Sequence, residues 1–285
     1  MTESPYRLAW RVTEPLHAMV YFVPEAAERY AECGLDATAG YFASRGAAFG
    51  PVGPGAVTAT FYNFNPALVA RVLPAVWEKT TPAAMLAARL DGAGAALTRA
   101  LGAEVLAGPE VAEAAELART AALAATELPH GRPLFAAHAD LPWPEQPHLV
   151  LFHAQMLLRE FRGDGHIAAL LTAGLTGLEA IVLHVASGQV DERFLRPTRG
   201  WSREAWAATA DDLRGRGLIG EDGLTEAGRE LRAGIEEQTD RLAEPAYRVL
   251  GEDGSARLAA LTRPLSRTLV KAGLLDPSQL TKRWS

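Results

Sequence analysis

The densest group of chemically capable side chains in this 285-residue sequence is Arg159, Arg162, Asp164 and His166, in the segment LLREFRGDGHIAAL. An aspartate beside a histidine can orient the imidazole and raise its pKa, which is what a general base needs. Two arginines three residues apart on a helix share a strip and can hold a carboxylate or a phosphate. Asp164 and His166 are therefore candidate catalytic residues, and Arg159 and Arg162 candidate ligand-binding residues. The same side chains also suit a plain helix junction, with Asp164 as a cap and Arg159 paired to a local acid.

Further candidates lie elsewhere in the chain. His17 and His153 stand at matching places, in LHA (16–18) and FHA (152–154), and would meet in a shared central cavity if the two halves pack about a twofold axis. Their plainer reading is as core histidines. Tyr62 and Asn63, in FYNFN, interleave an aromatic with an amide, as the wall of a small-molecule pocket does, and Arg45 is a candidate for an anionic ligand. No HxxxH or CxxC spacing points to a metal, and no Gly-rich phosphate loop or GxSxG points to nucleotide or serine chemistry. No metal and no cofactor is expected.

These residues need elements to position them. Gly163 and Gly165 predict a break after a helix over 149–162, with a short helix over 166–173. The turn between them would swing His166 back toward Arg159 and Arg162, so that Arg162, Asp164, His166 and His153 border one internal cavity. Helices are also predicted over 10–22, 24–33, 36–46, 66–79, 82–101, 110–126, 177–187, 203–216, 226–243 and 254–273, from apolar spacing and from Asn65, Thr81, Ser202 and Thr225 as caps. VTATFYNF (57–64) reads as a short strand or a buried extended segment. Five prolines in 127–148 read as a linker and place a domain boundary near 145. The expected domains are 1–145 and 146–285.

Composition bounds the class. At 48% hydrophobic and 22% charged the sequence is that of an ordinary globular protein. Cys33 is the sole cysteine, which excludes an intrachain disulfide. No apolar run reaches the ~18 residues of a membrane span, and the start lacks a signal-peptide layout. A cytoplasmic protein with no membrane partner is expected. Arginine far outnumbers lysine, which suits a high-GC, actinobacterial genome.

The order of elements in 10–126 answers that in 149–268, which suggests an internal duplication. In the second half, DDLRGRGLIGEDGLTEAGRELRAGIEEQTD (211–240) resembles the end of a MarR-type winged helix. There Gly217-Leu218-Ile219 would close a recognition helix and start the wing, and Leu224-Thr225-Glu226-Ala227-Gly228 would open the long dimerisation helix. The whole chain also resembles a group of actinobacterial helix-turn-helix-like proteins that offers no activity to carry over. The resemblance implies an all-α fold with a minimal β-hairpin, made of two similar helical halves like a regulator dimer fused into one chain. The chain would then be a monomer acting as a pseudo-dimer, or a homodimer. Against DNA as a partner stands charge: residues 201–250 hold seven arginines and eleven acids, a net of −4, and the wing carries Glu221 and Asp222. Most nonspecific DNA affinity comes from neutralising phosphates. The expected function is binding of a small hydrophobic or anionic molecule with DNA binding weak or lost. An enzyme using the Arg/Asp/His group, and a DNA-binding transcriptional regulator, remain the alternatives.

Overall fold

Proline lacks an amide proton and has φ fixed near the helical value, so it suits the first turn of a helix. Much of this chain is punctuated that way. The computed structural model describes residues 3–275. Along it run α1 (Pro5–Ala18), α2 (Pro24–Glu32), α3 (Ala37–Gly46), α4 (Pro54–Phe61), α5 (Pro66–Val72), α6 (Pro82–Leu101), α7 (Ala103–Leu106), α8 (Pro109–Thr126), α9 (Pro133–Ala139), α10 (Pro147–Thr172), α11 (Gly177–Ala186), α12 (Glu192–Thr198) and α13 (Arg203–Gly215). Strands β1 (Ile219–Gly220) and β2 (Gly223–Leu224) follow, then α14 (Glu226–Arg248) and α15 (Gly251–Lys271). The fold is all-α with a minimal hairpin, in which Ile219 pairs with Leu224 and Gly220 with Gly223 in antiparallel register.

The caps read from the sequence hold. Asn65, Thr81, Ser202 and Thr225 each accept a backbone N–H in the first turn of the helix that follows. Thr176 and Glu179 form a reciprocal capping box at the start of α11.

Four expectations about elements are corrected. Residues 57–64 are not extended: α4 runs through them to Phe61. The helix expected over 66–79 stops at Val72, ahead of Leu73-Pro74, where a residue preceding proline is disfavoured in the helical region. A 3-10 turn, Ala75–Glu78, takes its place. Within the proline-rich 127–148 lies α9, whose Leu134, Phe135 and His138 are buried. Most consequential, there is no break at Gly163-Asp164-Gly165. Helix α10 is continuous for 26 residues, about 39 Å at 1.5 Å per residue. Packing on its surroundings outweighs the local preference of two glycines. At Gly165 an added Cβ would lie 2.9 Å from Arg132 Nη1 and 3.2 Å from Leu242 Cβ, so that glycine serves close packing rather than a turn.

Helix α10 is the axis of the molecule, packed against α1, α6, α8, α9 and α14. Its first two-thirds lie in a large core that also draws on α1–α9 and α15, among them Phe42, Met85, Phe135, Phe152 and Leu258. Its last turns belong to a second, smaller core of Ala169, Leu170, Leu178, Ile181, Leu195, Trp206, Leu213, Ile219 and Ile235. That core is shared by α11, the α12–turn–α13 pair, the hairpin and α14. No single helix among the described residues is long and apolar enough to cross a membrane.

Candidate functional site

Where the two cores meet, they leave a cavity of about 330 Å³, within the range of small-molecule sites. One face of α10 forms its floor, through Arg159, Gly163, Ile167 and Leu170. Opposite stand Leu175, Ile181 and His184 around α11, Arg232 and Glu236 on α14, and the stretch Thr60–Phe64 at the end of α4 and just beyond it, with Tyr41 and Arg45 from α3 and Arg199 from the turn before α13.

The helix-turn-helix side is held to the body by residues 62–68. Asn65 donates from its backbone N–H to Arg199 O (2.9 Å) and from Nδ2 to Gly200 O (3.0 Å). Trp201 Nε1 donates to Asn63 O at 2.9 Å, and the Tyr62 hydroxyl donates to Leu175 O. Contact is close enough to demand glycine: a Cβ on Gly177 would sit 2.0 Å from Tyr62 O. Tyr62 itself has φ 56°, ψ −52°, and Asn63 N–H reaches back to Phe61 O at 2.6 Å. That is a γ-turn of the rare, strained kind.

Charge is concentrated at one end. Arg45 donates to both Glu160 oxygens, at 3.0 and 3.1 Å, and to the Tyr41 hydroxyl at 2.9 Å, and its guanidinium lies 4.2 Å from the centre of Phe61. Glu160 is 3% exposed. Burial alone would raise its pKa, but the surrounding cations, led by Arg45, outweigh burial and hold it at about 2. Arg159 pairs with Glu14 and lies over Tyr21. Arg199 stands apart from both: among the described residues no carboxylate pairs with it. Its guanidinium sits 4.6 Å from the centre of Phe64, Nη1 donates to Thr198 Oγ1 at 3.2 Å, and Nε is buried without an acceptor. Three guanidinium groups thus meet two carboxylates at this end. Burial, with Arg45 and Arg159 nearby, lowers the pKa of Arg199.

The sequence-derived candidates separate in the structure. Arg45, Tyr62, Asn63, Arg159, Asp164 and His166 all border the cavity. Arg162 does not, which corrects the expectation that it flanks His166 there. It points to the other side of α10, where it pairs with Glu236 (3.2 Å) and Asp240 (2.7 Å) and lies 4.3 Å from the centre of Trp10. An unbroken α10 is the reason, since no turn brings the strips together. His17 and His153 are likewise absent from the cavity wall. His17 is fully buried against Phe152 and Tyr21, and His153 against Trp143.

Asp164 and His166 have structural partners. Asp164 Oδ2 accepts the Phe135 N–H at 2.9 Å, tying α10 to the start of α9. Thr239 gives its single hydroxyl proton to Ile235 O (2.7 Å), so it accepts from His166 Nδ1–H at 2.9 Å. Glu160, His184, Arg199 and Arg232 also border the site and were not singled out from sequence. Glu160 left a signal, as an acid at a core position in LLREF. Arg199 left none, because its role depends on Phe64, far away in the chain.

A family model described as a helix-turn-helix family matches residues 6–276. The chain belongs to that helix-turn-helix family. Membership spans both cores, so the helical body is as much part of the family as the α12–turn–α13 unit. No curated protein and no solved structure matches the chain. Among the described residues no group of three His, Cys, Asp or Glu side chains is placed to hold a metal ion.

Proposed function

We propose that this protein binds a small anionic molecule in the cavity between its helical body and its helix-turn-helix unit, on a MarR-type scaffold whose DNA reading has weakened. In this reading the two halves descend from a regulator dimer fused into one chain. The observation that carries it is Arg199, a cavity-lining guanidinium that, among the described residues, has no carboxylate partner and a buried Nε without an acceptor. A cation over the Phe64 ring and near two ion-paired arginines is a ready site for a carboxylate or phosphate.

The weakening of DNA binding rests on the outer face of α13 and the wing. Arg214 is paired with Asp211 at 2.6 Å, and Arg216 with Glu179 and Asp212. Glu221 and Asp222 are exposed at the wing tip. Paired cations have little left to offer phosphates, and the acids repel them.

The test is calorimetric titration of the full chain with inorganic phosphate, succinate and benzoate. At least one is expected to bind, and Arg199→Gln is expected to weaken it by about tenfold or more, as loss of a charge-assisted contact does, with the helical circular-dichroism signal unchanged. Failure of every anion, or indifference to Arg199→Gln, rejects the reading. A second reading, a DNA-binding regulator, is favoured by family membership. Nanomolar, salt-sensitive gel shifts with the protein's own upstream DNA would establish it in place of the first.

A further inference from the structure

Glycine in the middle of a helix is normally retained for close packing, because it is otherwise destabilising relative to alanine. Gly163 has no such reason. Among the described residues a Cβ added there would meet only Glu160 Oε2, at an ordinary 3.7 Å. What lies over Gly163 is the cavity. The residue does for the cavity what Gly165, two positions on, does for packing.

Its neighbours on the same face give the missing side chain a meaning. Arg159, Gly163, Ile167 and Leu170 follow one another at helical spacing and all line the cavity. Along this strip the floor carries the Arg159 guanidinium, paired with Glu14, at one end, no side chain at Gly163, and the apolar Ile167 and Leu170 at the other, while Glu160, Asp164 and His166 of the same helix also border the cavity. From Arg159 to Leu170 it spans about 16 Å along the axis. Arg199 shares the Arg159 end, since it lies over Phe64, whose ring is 6.1 Å from Phe61, the ring beneath Arg45. At the apolar end Ile167 and Leu170 face Leu175, Ile181 and Leu183.

We infer that Gly163 is the specificity-determining residue of this site, and that the site takes an elongated amphipathic acid. The carboxylate sits at Arg199 and Arg159. The apolar body crosses the bare backbone at Gly163 and ends against Ile167, Leu170 and Ile181. Any side chain at position 163 would stand between head and tail, so the absence of one selects for length. This rests on the anion-binding reading above and narrows it to a ligand class.

Acetate and hexanoate separate the two claims. Both carry the same head, and hexanoate adds methylenes that would lie over Gly163. Each methylene buried from water raises affinity by about fourfold, so hexanoate, with four more methylenes, is expected to bind the full-length protein about 250-fold more tightly than acetate. Gly163→Leu is expected to remove most of that difference, bringing the ratio of hexanoate to acetate affinity toward one. Gly163→Ala, which the helix accommodates, is expected to fall between. Circular dichroism and melting temperature report on the fold of each variant. If hexanoate and acetate bind equally, or if Gly163→Leu leaves hexanoate affinity untouched, the inference is wrong while an Arg199-dependent response to phosphate or succinate keeps the anion-binding function. If neither these acids nor the other anions bind, both readings fall together.

Discussion

Asp164 shows how a residue type that suits catalysis can be spent on structure. Its carboxylate is 5% exposed and accepts the Phe135 N–H. Burial, the largest influence, lifts its pKa from 3.8 to about 6. A folded pKa above the unfolded one means that the native state holds the proton more tightly. Its favourable contribution is full below pH 3.8 and is lost as pH rises through about 6. Asparagine keeps an acceptor for Phe135 and carries no charge. Asp164→Asn is therefore expected to be more stable than the wild type at pH 7, by about 1–3 kcal/mol, and equal to it near pH 4, in urea unfolding at the two pH values. An unchanged difference between pH 4 and pH 7 would mean that the carboxylate is solvated in the native state.

At the scale of elements, the contact that decides the architecture is the clasp of residues 62–68 on α11 and on the turn before α13. Tyr62 is held in a γ-turn that costs about 1–3 kcal/mol, against the hydrogen bonds from Tyr62 and Trp201 that fix it. Gly177→Ala tests it. In an ordinary helix that change stabilises by about 0.5–1 kcal/mol. Here the new methyl would lie 2.0 Å from Tyr62 O, so the clasp must open. A net loss of about 2 kcal/mol or more is expected, as overpacking typically gives, with faster amide exchange confined to 60–68 and 175–201. A stabilised variant would show that the clasp is not formed. The sequence could not disclose this contact, because its partners lie 113 to 138 residues apart. Helix starts were legible, because Asn65, Thr81, Ser202 and Thr225 cap within their own turn. The course of α10 through Gly163-Asp164-Gly165 was misread for the opposite reason, since partners distant in the chain override a local preference. The same division runs through the site. Arg159, Asp164 and His166 were legible as neighbours in sequence, whereas Arg199 acquires its role only beside Phe64.

Across the whole molecule the large core is unusual in burying three neutral histidines beside an arginine. His17 and His138 are fully buried, and His153 is 5% exposed. Among the described residues neither ring nitrogen of His17 has a hydrogen-bond partner. Arg89, 2% exposed, offers its guanidinium to His138 Nε2 at 3.4 Å and to Met156 Sδ at 2.6 Å. Burial first, and then the charge of Arg89, depress all three imidazoles: His17 well below 6.5, His138 to about 3 and His153 to about 4. Glu160 favours protonation of His17 and His138, but burial outweighs it. On unfolding each ring returns toward 6.5 and takes up a proton, so the unfolded state binds more protons between about pH 4 and 6.5. Stability then rises with pH across that window. Asp164 acts in the opposite sense below about pH 6, as one group against three. The Glu160 contribution, with its pKa held near 2, is present above about 4.5 and is lost only below it. Each pKa unit is worth about 1.4 kcal/mol, so the histidines together are expected to remove several kcal/mol between pH 7.5 and 4.5. Urea unfolding at four pH values across that range measures the slope. His153→Phe, which retains a ring against Trp143 and cannot protonate, should reduce the slope by roughly one proton, without abolishing it. A stability that is flat from pH 7.5 to 4.5 would mean that these imidazoles are charged or solvated in the native protein, and the buried polar centre described here would have to be abandoned.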